Sequence, residues 1–167
     1  MAKHLYRADV IWRCDGDFAA NAYSRGHDWS FDGGVTVPAS ASPSVVPLPH
    51  SVEAAVDPEE AFVAAISSCH MLWFLDLARR DGLVVDSYRD RAEGVMERVA
   101  PGKMAVTRVT LRPQVVLAGN TLPDAGRLDA LHHQAHEACF IANSVKSEIV
   151  VEASPATLAD NSGDRSS

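Results

Sequence analysis

The sequence predicts an α+β domain in which antiparallel strands surround one long central helix carrying a cysteine in its middle. Three features point there: a capped and almost uncharged helical stretch from Asp57 to Gly82, a strand–turn–strand pattern from Leu83 to Ala118, and short alternating segments ahead of them. With 167 residues, 47% of them hydrophobic, the chain can bury one sizeable core. A single domain over residues 1–153 is expected. The tail at 154–167, SPATLADNSGDRSS, is small and polar and reads as disordered.

At the N-terminus, Leu5 to Arg13 alternate loosely around Tyr6, Val10, Ile11 and Trp12 and read as a strand. A turn at Asp15-Gly16-Asp17 suggests a hairpin into Phe18 to Ser24, and a third short strand is expected at Asp28 to Phe31. Cys14 lies at the first turn without a partner in sight and reads as incidental. From Val35 to Val56 the chain is rich in Pro and Ser and has no sustained period. A stretch of that length inside a compact domain is a lid or a surface loop, and Val45, Val46 and Leu48 favour a lid over the cysteine helix.

The helix is strongly marked at both ends. Asp57 is a suitable N-cap and Pro58 suits the first helical position. Glu59 and Glu60 set negative charge against the positive end of the dipole, while Arg79, Arg80 and Gly82 mark the other end. From Ala61 to Ala78 the only formal charge is Asp76, so apolar or small residues surround the cylinder and burial on most sides is expected, in one core or between two subunits. Ser67, Ser68, His70 and Asp76 interrupt the run and make it a poor membrane span.

Two long strands, Leu83 to Val99 and Met104 to Ala118, follow as an antiparallel hairpin around Ala100-Pro101-Gly102-Lys103. Pro113 pushes the second toward a bulge or an edge. A second helix starts at Thr121 to Asp124, with Leu128, Leu131, Ala135 and Ala138 forming an apolar face that leads to Cys139. Its His132 and His136, with Cys139, have a spacing conceivable for zinc, but no acidic fourth ligand accompanies them, and exposed histidines are the plainer reading. A last strand is expected over Glu148 to Glu152.

The segments DPEEAFVAAISSCH (Asp57 to His70) and CFIANSVKSEIVVE (Cys139 to Glu152) resemble the OsmC/Ohr family, whose members are thiol-dependent peroxidases. The resemblance spans most of residues 5–153. It departs from the family where Asp57 stands for a frequent Asn and Phe140 for a frequent Pro. It implies an OsmC-like fold, an intertwined homodimer, and reduction of organic hydroperoxides, more weakly of hydrogen peroxide, without a cofactor or a metal. It also implies that Cys69 is the peroxidatic thiol, Cys139 the resolving one, and Glu59 the orienter of an arginine at the thiolate. Arg25 is the nearest candidate for that arginine, with Arg7 and Arg13 as alternatives. A dithiol, such as a lipoylated protein, would reduce the resulting disulfide.

Phe62, Trp73, Phe74 and Phe140 are candidates for an apolar pocket favouring organic substrates, since each buried methylene is worth about 0.8 kcal/mol. A net charge of −7 without clustered Lys/Arg argues against nucleic acid. MAKHLYRADV lacks the apolar stretch of a secretory signal, and three cysteines make no even framework, so a reducing cytoplasm is expected. Two other readings keep the same cysteines: a thiol redox sensor with little turnover, and a non-enzymatic dimeric module that binds an apolar ligand under the Pro-rich loop.

Overall fold

The computed structural model describes residues 3–160. In chain order the elements are β1 (Ala8–Ile11), β2 (Gly16–Asp17), β3 (Ala22–Tyr23), β4 (His27–Phe31), β5 (Thr36–Ala39), α1 (Pro58–Arg80), β6 (Val85–Asp90), β7 (Glu93–Ala100), β8 (Lys103–Leu111), β9 (Pro113–Leu117), α2 (Ala125–Ala138), a short 3-10 turn (Ala142–Ser144), β10 (Glu148–Val151) and β11 (Thr157–Leu158). The chain divides into two compact units, Met1–Phe62 and Val63–Ser167, with the boundary inside α1. Each unit closes its own sheets.

In the first unit β4 lies between β1 and β5, antiparallel to both. The expected hairpin from β1 into the next strand is replaced by a small ribbon, β2 against β3. The reason is local, because the tight turn forms at Phe18 to Asn21 rather than at Asp15 to Asp17. Asn21 takes φ 58°, which asparagine tolerates, and the Asp17 carboxylate accepts from the Ala20 N–H at 3.0 Å. The Pro-rich segment is partly ordered by backbone pairing. Ser40 donates to Val56 and Val56 to Pro38, and the buried Ser40 hydroxyl accepts from the Val52 N–H at 2.9 Å.

α1 starts and stops as its residues dictate. The Asp57 carboxylate accepts from the Glu60 N–H at 2.7 Å while the Glu60 carboxylate accepts from the Asp57 N–H at 3.2 Å, a reciprocal capping box. At the other end Gly82 has φ 78°, its N–H donates to Arg79 and that of Leu83 to Ala78, which is a Schellman ending. Burial differs from expectation. In the chain alone only one stripe, Ile66, His70, Phe74 and Ala78, is buried, whereas Leu72 is 60% exposed. The four-residue spacing selects one face of the cylinder, Trp73, Leu75 and Leu77 beside it are partly buried against the core, and the flank that carries Leu72 is left exposed. By length and composition α1, with a mean hydropathy of 1.6, is apolar enough to cross a membrane. Phe74 and Ala78 of its stripe nonetheless pack into a core with Val115 and Leu117 of β9, Leu128, Leu131 and Ala135 of α2, and Ala156.

The expected long hairpin is present but broken twice, into β7–β8 and β6–β9. Pro101 and Gly102, the latter at φ 70°, make the turn between β7 and β8. At the break between β8 and β9, before Pro113, the Arg112 N–H donates to the Asp90 carboxylate at 2.6 Å. β10 adds to β8 and β11 to β9, both in parallel, so the sheets are mixed rather than antiparallel throughout. β11 also corrects the expected disordered tail, since Thr157–Leu158 pairs with Val116 and Leu117 and Ala156 is buried. The rest of that tail, 161–167, lies outside the described residues.

Candidate functional site

Cys69 lies in the middle of α1, one position before His70 of the buried stripe, and is half-buried. Cys139 caps the C-terminus of α2, its N–H donating to His136 at 3.2 Å, and is 1% exposed. The two thiols, 70 positions apart in sequence, lie close enough for Cys69 to influence the titration of Cys139, and both are free. Burial first, then the neighbouring Cys69 thiol, pushes the Cys139 thiol up to about 11, against the Ala142 N–H, which donates to its sulfur at 3.4 Å and lowers it. The site is therefore asymmetric: Cys139 is buried and protonated at neutral pH, and Cys69 is the more accessible sulfur. Cys14 is exposed and hydrogen-bonded only to its own turn, at Gly16.

Of the aromatic residues, some of which are expected to line a pocket at the thiol, two meet each other. Trp73 and Phe140 meet edge to face, with ring centroids 5.4 Å apart, and Phe140 remains 67% exposed. Phe74 is wholly buried, packing on Tyr88 and His132. Phe62 is half-buried at the end of the first unit.

Arg25 lies in the link from β3 to β4, where its guanidinium donates to the Tyr23 carbonyl and the Asn21 side chain, each at 2.5 Å, and stacks over the Tyr23 ring at 3.7 Å. Trp12, Phe18 and Tyr23 cluster beside it and line a shallow apolar hollow of about 440 Å³. Among the described residues it pairs with no carboxylate, Glu59 included, whose expected partnership with Arg25 is thus not formed within the first unit. Glu59 is half-buried in the first turn of α1. The helix is continuous from Pro58 past Cys69, so the ten positions between Glu59 and Cys69 set them about 15 Å apart along its axis.

One pair escaped the sequence reading. His132 is 5% exposed, not on an exposed helix face as expected, and its Nδ1 is 3.1 Å from Nε2 of His70. The two rings are parallel within 3°, and Phe74 stacks on His132 with ring centroids 4.2 Å apart. Burial, with the neighbouring His132 adding to it and Asp90 opposing, lowers His70 to about 4; burial lowers His132 to about 4. Nearby, Asp90 accepts from the Ser67 hydroxyl at 2.6 Å, and burial raises the Tyr88 hydroxyl. The signal was present in the spacing, because His132 falls between Leu128 and Ala135 on the apolar face of α2. Among the described residues no three His, Cys, Asp or Glu side chains gather as a metal site.

The sequence profile described as OsmC-like protein matches residues 50–154. An OsmC-like protein of unknown function from Vibrio cholerae is 52% identical, covering 91% of this chain and 100% of that one, with a TM-score of 0.88. The organic hydroperoxide resistance protein OhrB of Bacillus subtilis is 18% identical, covering 93% and 100%, with a TM-score of 0.61. An organic hydroperoxide resistance protein of Elizabethkingia anophelis is 17% identical, covering 96% and 100%, with a TM-score of 0.62. These last two likenesses show the fold alone. No curated protein matches the chain.

Proposed function

The chain belongs to the OsmC-like protein family, and from that premise we propose that it is a thiol-dependent peroxidase reducing organic hydroperoxides, and hydrogen peroxide more weakly. The observation that carries the proposal is the asymmetric thiol pair, a half-buried Cys69 neighbouring a buried, protonated Cys139. The Cys69 thiolate attacks the terminal oxygen of ROOH. The O–O bond breaks, the alkoxide leaves and takes a proton as ROH, and Cys69 is left as a sulfenic acid. Cys139 then attacks that sulfur, its thiol proton leaves with the hydroxyl as water, and a Cys69–Cys139 disulfide forms. An external dithiol, for which a lipoylated protein is the proposed source, reduces it by exchange in the reducing cytoplasm.

Charge on the thiolate and the leaving oxygen needs a cation, and Arg25 suits because its planar fork has no carboxylate partner among the described residues. Glu59 is proposed to orient it. The axial distance of about 15 Å from Glu59 to Cys69 on one helix favours a site built from two chains, with α1 packed antiparallel to its copy in a homodimer. Peroxide consumption with a dithiol reductant tests the proposal. Turnover on cumene hydroperoxide exceeding that on hydrogen peroxide, and abolished in Cys69→Ser, supports it. Reversible disulfide formation without turnover would instead make the protein a redox sensor, and inert cysteines with tight binding of an apolar ligand would make it a binding module.

A further inference from the structure

We propose that His70 and His132 are positioning residues that hold the Cys69 and Cys139 thiols in the register from which a disulfide forms. The inference deepens the peroxidase reading and rests on it for its benefit to turnover, but its geometry stands by itself. His70 adjoins Cys69 on α1, and His132 precedes Cys139 by seven positions on α2. Seven residues are close to two helical turns, so His132 lies on nearly the line of α2 that ends at its C-cap, Cys139, about 10 Å away. The 3.1 Å bond between the imidazoles therefore ties the two helices one position from Cys69 on α1 and two turns from Cys139 at the end of α2.

The bond has a direction. Nδ1 of His70 is buried without a hydrogen-bond partner among the described residues, and a bare lone pair is tolerated there better than a stranded N–H. The proton of His70 is thus assigned to Nε2, which donates to Nδ1 of His132, leaving Nε2 of His132 to carry its own proton. Phe74 at 4.2 Å and the parallel His70 ring fix the plane of His132. Asp90 and Tyr88 of β6 and His136 of α2 complete the titratable surroundings, with Asp129 and His133 lining the groove of about 610 Å³ that His132 borders. A disulfide requires its Cβ atoms about 3.5–4.5 Å apart and a narrow dihedral range, so a small rotation of either helix is enough to disfavour it.

Asparagine places an oxygen where histidine has Nδ1, and glutamine places its amide near Nε2. His132→Asn thus keeps an acceptor for His70, and His132→Gln moves it. The full-length protein and each variant are equilibrated at pH 7 with reduced and oxidised glutathione, where two protein thiols and one glutathione disulfide give the Cys69–Cys139 disulfide and two glutathiones. The fraction oxidised is read by mass spectrometry. We expect His132→Asn to stay within about threefold of the unmodified protein and His132→Gln to fall roughly tenfold. The reciprocal pair, His70→Gln keeping the Nε2 donor and His70→Asn losing it, repeats the contrast from α1 should the α2 variants not fold. Equal disulfide constants in the keeping and losing members of a folded pair would overturn the proposal. The assay contains no peroxide, so absent peroxidase turnover alongside the expected contrast would overturn the peroxidase reading and leave the positioning role standing.

Discussion

At the scale of single residues, the division of labour between the cysteines follows from burial. Cys139, held up to about 11 in its buried place, is almost wholly protonated at pH 7 and cannot compete with Cys69 as a first nucleophile. Cys139→Ser should consume about one peroxide equivalent per site and then accumulate sulfinic acid on Cys69, detectable by mass spectrometry, whereas Cys69→Ser should consume none. Full multiple turnover in Cys139→Ser would refute the resolving role. The imidazole pair makes a separate forecast. Both folded histidines titrate near 4 against 6.5 in the unfolded chain, so the unfolded state takes up protons first as pH falls. Their neutral burial therefore costs nothing above pH 6.5 and progressively destabilises the fold between 6.5 and 4. The melting temperature should drop from pH 7 to pH 4.5 by on the order of 10 °C, and by clearly less in His132→Asn.

At the scale of elements, α1 is positioned by what it can approach. A Cβ built on Gly94 of β7 would stand 2.6 Å from Cγ2 of Val63 on α1 and 3.4 Å from Cγ1 of Val106 on β8. Valine is stiff at χ1, so the strand or the helix must give way. Gly94→Ala should cost roughly 1–3 kcal/mol in urea unfolding, and an unchanged midpoint would mean that helix and strand do not pack as described. Asp57→Ala, which removes half of the capping box, should cost about 1 kcal/mol and leave the disulfide equilibrium unaltered.

For the whole molecule, the bare flank of α1 is the outstanding quantity. One stripe is buried in the chain, and Leu72 is exposed on a helix that is apolar on all sides. Antiparallel packing of two copies would cover that flank and carry Glu59 of one chain toward Cys69 of the other. We expect a dimer in sedimentation at micromolar concentration. Mixing inactive Cys69→Ser with inactive Glu59→Ala subunits under exchange should restore about a quarter of the activity, because half of the dimers are mixed and each holds one intact site. A monomer, or no recovery on mixing, would refute the two-chain site.

What the sequence determined by itself is what neighbouring residues decide among themselves. Asp57, Pro58 and Glu60 start α1, Arg79 to Gly82 end it, and Pro101-Gly102 turns β7 into β8, because each involves atoms a few bonds apart whose preferences need no partner elsewhere. The cysteines were legible as a pair only through family resemblance. Their proximity, across 70 positions, was not legible from spacing, since nothing local fixes how two helices meet. The parallel addition of β10 to β8, the order of Thr157–Leu158, and the burial of His132 were likewise settled by tertiary structure. In each case a polar or weakly patterned segment was drawn in by a partner distant in sequence: a strand edge with free N–H and C=O groups, or an imidazole nitrogen that could be satisfied only inside the core.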